Sequence, residues 1–333
     1  MSLRMVEMVV RDAEASDFAA LSDKLKVLGL WRERLDDDQV LLRLLVPSER
    51  TEAVIEHLQS EFQTSPAFRL VIFEVQATVP QPPPDEPDKK DENGETEKDP
   101  ARIACAELVQ RLSTGAVVNR IFIVTVALST IVAAIGLMQD NVAIIIGAMV
   151  IAPLLAPNMT LALATTLGDP KLARRAMRVN AAGLALTLLL AILIGLVAPV
   201  DPEVTQIAMR TRVSLSDVVV ALAAGSAGAL AFTTGLSAAV VGGMGAVARL
   251  PPVVNGGRLL GAGRPEMATG AMLLAATNIV CINLAGVGTF LWQKVNPQHW
   301  WEAERAKRIV RIAATIWLAL LALLIALILL ARQ

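Results

Sequence analysis

Long runs of uncharged, apolar residues constrain this chain more than any other feature of its sequence. Six runs contain no Asp, Glu, Lys or Arg: residues 121–139, 141–168, 179–200, 218–248, 267–293 and 312–331. A helix crosses the hydrocarbon core of a bilayer with about 20 residues, so the run at 218–248 is too long for one span. We divide it at Thr233-Thr234-Gly235 into segments near 214–232 and 236–254. The sequence therefore predicts a mainly α, polytopic membrane bundle of about seven spans.

The composition and the motifs argue against an enzyme. Charged residues make up 18% of the chain, against about 25% in a typical soluble domain. We find no phosphate-binding loop, catalytic triad or carboxylate pair, and the two cysteines and two histidines lie too far apart in sequence to suggest a disulfide framework or a metal site. We therefore predict no catalytic activity, no cofactor and no metal. The basic residues lie between apolar runs, so the expected partner is the lipid bilayer and not a nucleic acid.

Residues 1–79 predict a small soluble α+β domain. Strands at 3–11 and 68–79, a hairpin turning at 36–38, and helices at 14–28 and after Ser48 follow in the order βαββαβ, a ferredoxin-like pattern. The pattern is similar to small regulatory domains of the ACT and P-II type, at the level of fold alone. Two interpretations stay open: a packing domain in a homo-oligomer, and a domain that binds a small ligand or a protein.

Residues 80–100 predict a disordered acidic linker between this domain and the membrane domain at 101–333. The linker is rich in proline and contains eight acidic and three basic residues. Such a composition does not bury enough apolar surface to form a core.

The basic residues predict the orientation of the spans. Twelve of them fall on one side if seven spans alternate, and five fall on the other. Because cytoplasmic loops carry the excess of Lys and Arg, we expect the N-terminal domain in the cytoplasm and the C-terminus outside, in the inner (plasma) membrane. The first side comprises Arg102, Arg111, Arg120, Lys171, Arg174, Arg175, Arg178, Lys294, Arg305, Lys307, Arg308 and Arg311; the second comprises Arg210, Arg212, Arg258, Arg264 and Arg332.

The membrane domain contains an internal repeat at an offset of 95 residues. Residues 145–177 align without gaps on residues 240–272, with identities that include Leu155/Leu250, Pro157/Pro252, Gly168/Gly263 and Pro170/Pro265. The copies extend over about 119–198 and 214–293, and residues 312–331 form an extra span. Three spans in each copy predict that the second copy enters the membrane from the opposite face, as in many secondary transporters. Coincidence in an Ala/Gly/Leu-rich sequence is the alternative.

The sequence suggests a substrate path near proline-rich breaks in the second and fifth spans. Proline removes a backbone donor, and broken helices in a membrane lie inside protein or line a wet cavity; simple proline kinks are the alternative. Asp217 is open to a second interpretation, as a helix-start carboxylate at the interface. Helix N-termini at the breaks would favour an anion and unwound carbonyls a cation, and the sequence does not choose. The candidate residues are Pro153, Pro157, Asn158, Asp217, Arg249, Pro251, Pro252, Asn255, Asn278 and Asn283.

The segments GAMVIAPLLAP and LSDVVVALAAGSAGALA, with LPP at 250–252 and ATN at 276–278, resemble a known family. It is the bacterial and archaeal membrane family called domain of unknown function 389, in the branch that carries an N-terminal soluble domain. The resemblance covers about residues 115–295 and implies a membrane fold, but no activity. The chain departs from the family pattern at Arg249, where an apolar residue is expected. The matching positions are Gly147, Ala148, Met149, Pro153, Pro157, Asp217, Gly225, Gly228, Pro251, Pro252 and Asn278.

The leading hypothesis is therefore a transporter or channel for a small solute or ion with a cytoplasmic regulatory or assembly domain. The alternative is a membrane sensor or scaffold without transport activity.

Overall fold

The structure, a computed structural model, describes residues 3–12, 27–35, 38–62, 68–75, 78, 105–234, 250–295 and 300–330. The chain divides into two compact units, whose main segments are residues 1–108 and residues 109–232 with 236–333. The predicted helix at 14–28 lies almost entirely outside the described residues, as do the predicted linker and most of the predicted fifth span.

The first unit contains a four-stranded antiparallel sheet. Its strands are β1 (Leu3–Arg11), β2 (Gly29–Arg34), β3 (Gln39–Pro47) and β4 (Arg69–Val75), in the spatial order β2-β3-β1-β4. In the register, Val6 pairs with Leu44 of β3 and with Ile72 of β4. Helix α1 (Thr51–Phe62) connects β3 to β4 after a short 3-10 turn. This order is that of a ferredoxin-like sheet and confirms the predicted strands and hairpin.

Alternate side chains of the strands, together with one face of α1, form the core of this unit. Val6, Met8 and Val10 of β1 are fully buried, because alternate side chains of a strand point to the same face. Helix α1 contributes Val54, Leu58 and Phe62 to the same core, the helical spacing that the sequence shows. Arg4 is also buried and its charge is compensated: Nε donates to Oε2 of Glu107 over 3.1 Å, and Nη1 lies 3.5 Å from Oε1 of Glu74.

The second unit is a helical bundle. It contains most of α2 (Cys105–Gly115), then α3 (Arg120–Met138), α4 (Val142–Ile151), α5 (Leu155–Leu167), α6 (Pro170–Val197), α7 (Leu215–Thr233), α8 (Leu250–Gly261), α9 (Pro265–Trp292) and α10 (Trp300–Leu330), with a helical turn at Thr205–Ala208. Large apolar side chains such as Ile121 and Val197 are exposed, as expected for surfaces that face lipid.

Five described helices are long and apolar enough to cross a membrane: α3, α6, α7, α9 and residues 310–329 of α10. Helices α4 and α5 are each shorter than a span but pass the same test together, with a bend of 55° between them. The predicted run at 141–168 is therefore two helices. The predicted end of the fifth segment at residue 254 is wrong, because α8 continues to Gly261.

Helix boundaries recur at the offset of the sequence repeat. Helices α3, α5 and α6 begin at residues 120, 155 and 170, and α7, α8 and α9 begin at residues 215, 250 and 265. Gly168 and Gly263 have positive φ angles of 67° and 72°. Both occupy the turn between a half-length helix and a 28-residue helix, where glycine adopts the left-handed conformation without strain.

Candidate functional site

Helices α4 and α5 meet at a bend of 55° in the second unit. Helix α4 ends with the amide of Ala152 donating to Ala148 O over 3.1 Å, and α5 begins at Leu155. Pro153 lies in the break, where its missing amide and its ring stop the first helix. Pro157 lies in the first turn of α5, where proline costs no intrahelical hydrogen bond.

The two prolines of the second copy also lie at the start of a helix. Pro251 and Pro252 are buried in the first turn of α8, which begins at Leu250. Pro157 and Pro252 thus occupy the same position in α5 and α8, as the repeat predicts. Arg249 precedes α8 and lies outside the described residues.

Helices α3 and α6 run in the same direction. Arg175 Nε donates to Ala116 O over 3.1 Å, near the start of both helices. Further along both helices, Thr130 Oγ1 donates to Thr187 Oγ1 over 3.5 Å. Between these contacts, a Cβ on Gly183 would lie 3.1 Å from the Phe122 ring. Because α3 and α6 are parallel, α4 and α5 return the chain from the far end of α3 to the start of α6.

Helix α8 also runs parallel to α6, at short range. A Cβ on Gly257 would lie 2.5 Å from Cβ of Ala191, and one on Gly261 would lie 2.2 Å from Ile192 O. This close approach depends on glycines, as is common where membrane helices pack.

The contact between α6 and α8 recurs with the two copies exchanged. A Cβ on Gly286 of α9 would lie 2.9 Å from Cβ of Ala162 of α5. Residues 162 and 257 are the same position of the repeat, and so are residues 191 and 286. The half-length helix of each copy therefore packs against the long helix of the other.

A hydrogen bond recurs at the same offset. Thr160 Oγ1 of α5 donates to Leu112 O over 2.8 Å, and Asn255 Nδ2 of α8 donates to Ile207 O over 3.1 Å. Both pairs of residues are 95 apart, although the side chains differ. Asn255 therefore holds the turn before α7 in place, and its Oδ1 has no partner.

The two half-length helices begin near the same level of the bundle. Leu154, just before α5, would contact a Cβ on Gly183, at the middle of α6 (Pro170–Val197). Leu250 lies seven residues before Gly257, about 10 Å along α8 at a rise of about 1.5 Å per residue. Since Gly257 contacts Ala191, the start of α8 also falls near the middle of α6.

A cavity of about 700 Å³ lies between α5, α6 and α10. Leu154 and Asn158 line it near the break, and Asp169 and Arg174 line it near the start of α6. Apolar side chains such as Trp317 form most of the wall. Asn158 is 2% exposed, and its Nδ2 has no hydrogen-bond partner. The cavity thus leads from the basic end of α6 to an unpaired polar group at the break.

The remaining candidates lie elsewhere. Asp217 is in the first turn of α7, where its Oδ2 accepts from Ser214 N over 2.8 Å and from Ser214 Oγ over 2.9 Å. This is the geometry of a helix N-terminal capping interaction. Asn278 and Asn283 are buried in α9, and Asn283 Nδ2 donates to Ile279 O over 2.9 Å. Among the candidates that the structure describes, Asn158 alone lies on the cavity wall.

Sequence reasoning missed the buried cation Arg258. Its assignment to an outer loop is wrong, because Arg258 lies inside α8 and is fully buried. Nε and Nη1 have no partner, and Nη2 lies 3.5 Å from Pro199 O. The aligned residue of the first copy is Leu163. One sequence signal could have indicated that Arg258 lies in a helix. Asn255 lies three residues before it, in a segment of otherwise apolar and small residues.

Known proteins include sequences similar to this chain. The family model described as "Domain of unknown function (DUF389)" matches residues 149–284. An uncharacterized protein of Methanocaldococcus jannaschii is 33% identical over 279 residues, which cover 84% of each chain. No solved structure matches this chain significantly. With a relative of this identity and coverage, and the repeat inside the matched region, the chain belongs to the membrane protein family called domain of unknown function DUF389.

Proposed function

We propose that this protein transports a small solute or ion across the membrane. We also propose that the two copies of its internal repeat are related by inversion. The observation that carries the proposal is the exchange of half-length helices: α8 packs on α6 as α5 packs on α9. Both half-length helices begin near the middle of the bundle, which is the arrangement around which secondary transporters bind their solutes.

The directions of three helices support the proposed inversion. Helix α8 runs parallel to α6. The short turn at Gly263 joins α8 to α9, and the two helices pack against each other in opposite directions. Helix α9 therefore runs opposite to α6, although the two helices are equivalent in the repeat. Equivalent helices of opposite direction in a membrane define an inverted repeat.

The orientation that we propose places the first unit in the cytoplasm. The hydrogen bond from Arg175 to Ala116 brings together two of the basic segments, so Arg111, Arg120 and Lys171 are at one end of the bundle. Such an excess of positive charge is typical of the cytoplasmic side of an inner membrane. The first unit then has a role in assembly or regulation. We expect no enzymatic activity in either unit.

Uptake into proteoliposomes tests the proposal. The full chain would be purified, reconstituted and offered isotopically labelled inorganic ions, amino acids and small organic acids, with protein-free vesicles as the control. Uptake that depends on the protein for at least one solute supports transport. If no labelled solute enters faster than in protein-free vesicles, transport is refuted in favour of a membrane sensor or scaffold.

A further inference from the structure

The described interior of the membrane unit contains a buried cation and no buried carboxylate. Arg258 is fully buried, and no Asp or Glu of residues 109–232, 250–295 or 310–329 belongs to the buried class. Intramembrane charges are costly and usually belong to the solute pathway. The fixed charge buried among these described residues is therefore positive, and Arg258 lies beside Pro199 and not on the cavity wall.

The start of α5 offers hydrogen-bond donors to the cavity. No side chain caps this helix, so its N-terminal end has no side-chain acceptor. The helix dipole adds partial positive charge at this end. Asn158 lies in the same turn, 2% exposed and on the cavity wall, with Nδ2 unpartnered. An unpaired buried donor is unfavourable unless a ligand supplies an acceptor.

The rest of the cavity wall limits the class of ligand. Leu161, Leu184 and Ile316 make the middle of the cavity apolar, and Arg174 lies at its other end. The carboxylate of Asp169 already accepts from the amides of Lys171 and Leu172, over 2.8 and 3.1 Å. The wall thus suits a molecule with a hydrocarbon body and an anionic head.

We infer that the solute is a small organic anion that binds in this cavity, with its charged group at the start of α5 and its apolar body against α6 and α10. This inference rests on the proposed function and adds the substrate class. Nδ2 of Asn158 donates to the anionic group, at a helix N-terminus whose dipole favours anions. The cavity volume of about 700 Å³ leaves room for several carbon atoms beyond the charged group.

Two ligands with the same hydrocarbon chain and opposite charge test this inference. Butanesulfonate stays ionised at neutral pH, and butyltrimethylammonium is its cationic counterpart. Each would be added to the purified full chain at equal ionic strength, and binding would be read from the rise in thermal midpoint. We expect butanesulfonate to raise the midpoint and the ammonium ion to leave it unchanged. Stabilisation by the cation alone, or by neither ligand, overturns the inference.

Variants at Asn158 locate the site. Asn158→Asp keeps the shape and adds a negative charge, so we expect the Kd for butanesulfonate to rise about tenfold or more, which is about 1.4 kcal/mol. Asn158→Leu removes the donor without adding charge and serves if the aspartate variant fails to fold. Asn283→Leu, at a similarly buried asparagine that does not line the cavity, is the matched control. Unchanged binding in both Asn158 variants, or an equal loss in the control, overturns the inference.

Uptake separates this inference from the proposed function. Labelled cations or neutral solutes that enter while butanesulfonate neither enters nor competes leave transport standing and refute the anionic class. Binding of butanesulfonate to the chain without uptake of any solute leaves the anion site standing and refutes transport.

Discussion

Gly195→Ala tests the close packing of α6 against α8. A Cβ at residue 195 would lie 2.2 Å from Arg258 O and 2.8 Å from its Cα, whereas ordinary contacts to a Cβ begin near 3.4 Å. The neighbour is backbone within a helix, so it cannot turn away as a flexible side chain would. Relief therefore requires the two helices to separate by about 1 Å, and overpacking of this kind costs about 1–3 kcal/mol.

Gly147→Ala is the matched control for that substitution. Gly147 lies inside α4, and nothing lies within 4 Å of its Cβ position. Alanine is the better helix former by about 1 kcal/mol, so the control is expected to be neutral or slightly stabilised. Equilibrium unfolding of the purified variants in mixed detergent micelles measures both changes. If Gly195→Ala is as stable as the parent, α6 and α8 do not pack as described, and the exchange of helices between copies is wrong.

Three further predictions concern other parts of the bundle. Asp217→Ala removes the acceptor at the start of α7 and should cost about 0.5–2 kcal/mol in unfolding experiments; a loss of uptake without a loss of stability would instead assign Asp217 to the solute path. Arg258→Met removes a buried and largely unpaired charge, so the stability of the folded state should be unchanged or higher by about 1–4 kcal/mol. Uptake of anions should fall. A large loss of stability would refute the description of the surroundings of Arg258. A cysteine at Ser113 should react with a membrane-impermeant maleimide only after the cells are opened, and one at Gln333 should react in intact cells; labelling of position 113 from outside would refute the orientation.

The sequence was sufficient for features that depend on local spacing. The predicted strand at 3–11 and the predicted helix after Ser48 are confirmed, because each faces one core. The repeat anticipated that Gly168 and Gly263 occupy equivalent turns, because glycine adopts a positive φ without strain.

Other features depend on packing between distant segments. The predicted break near Pro153 and Pro157 is present between α4 and α5. Pro157, Pro251 and Pro252 each lie in the first turn of a helix, where proline is tolerated. The cavity involves α5, α6 and α10, which are far apart in sequence and come together only in the folded bundle. Arg258 was assigned to a loop because charge in an apolar segment usually marks its end. In α8, it lies instead beside the carbonyl of Pro199.

The central claim is that two equivalent copies cross the membrane in opposite directions. Lys171 and Glu266 are the same position of the repeat, both exposed in the first turn of α6 and of α9. Single cysteines at the two positions, in a background without Cys105 and Cys281, would be treated in intact cells and in opened cells with a membrane-impermeant maleimide. We predict that Glu266→Cys reacts in intact cells and that Lys171→Cys reacts only after the cells are opened. Labelling of both positions from the same side would show that the copies are not inverted and would contradict the account.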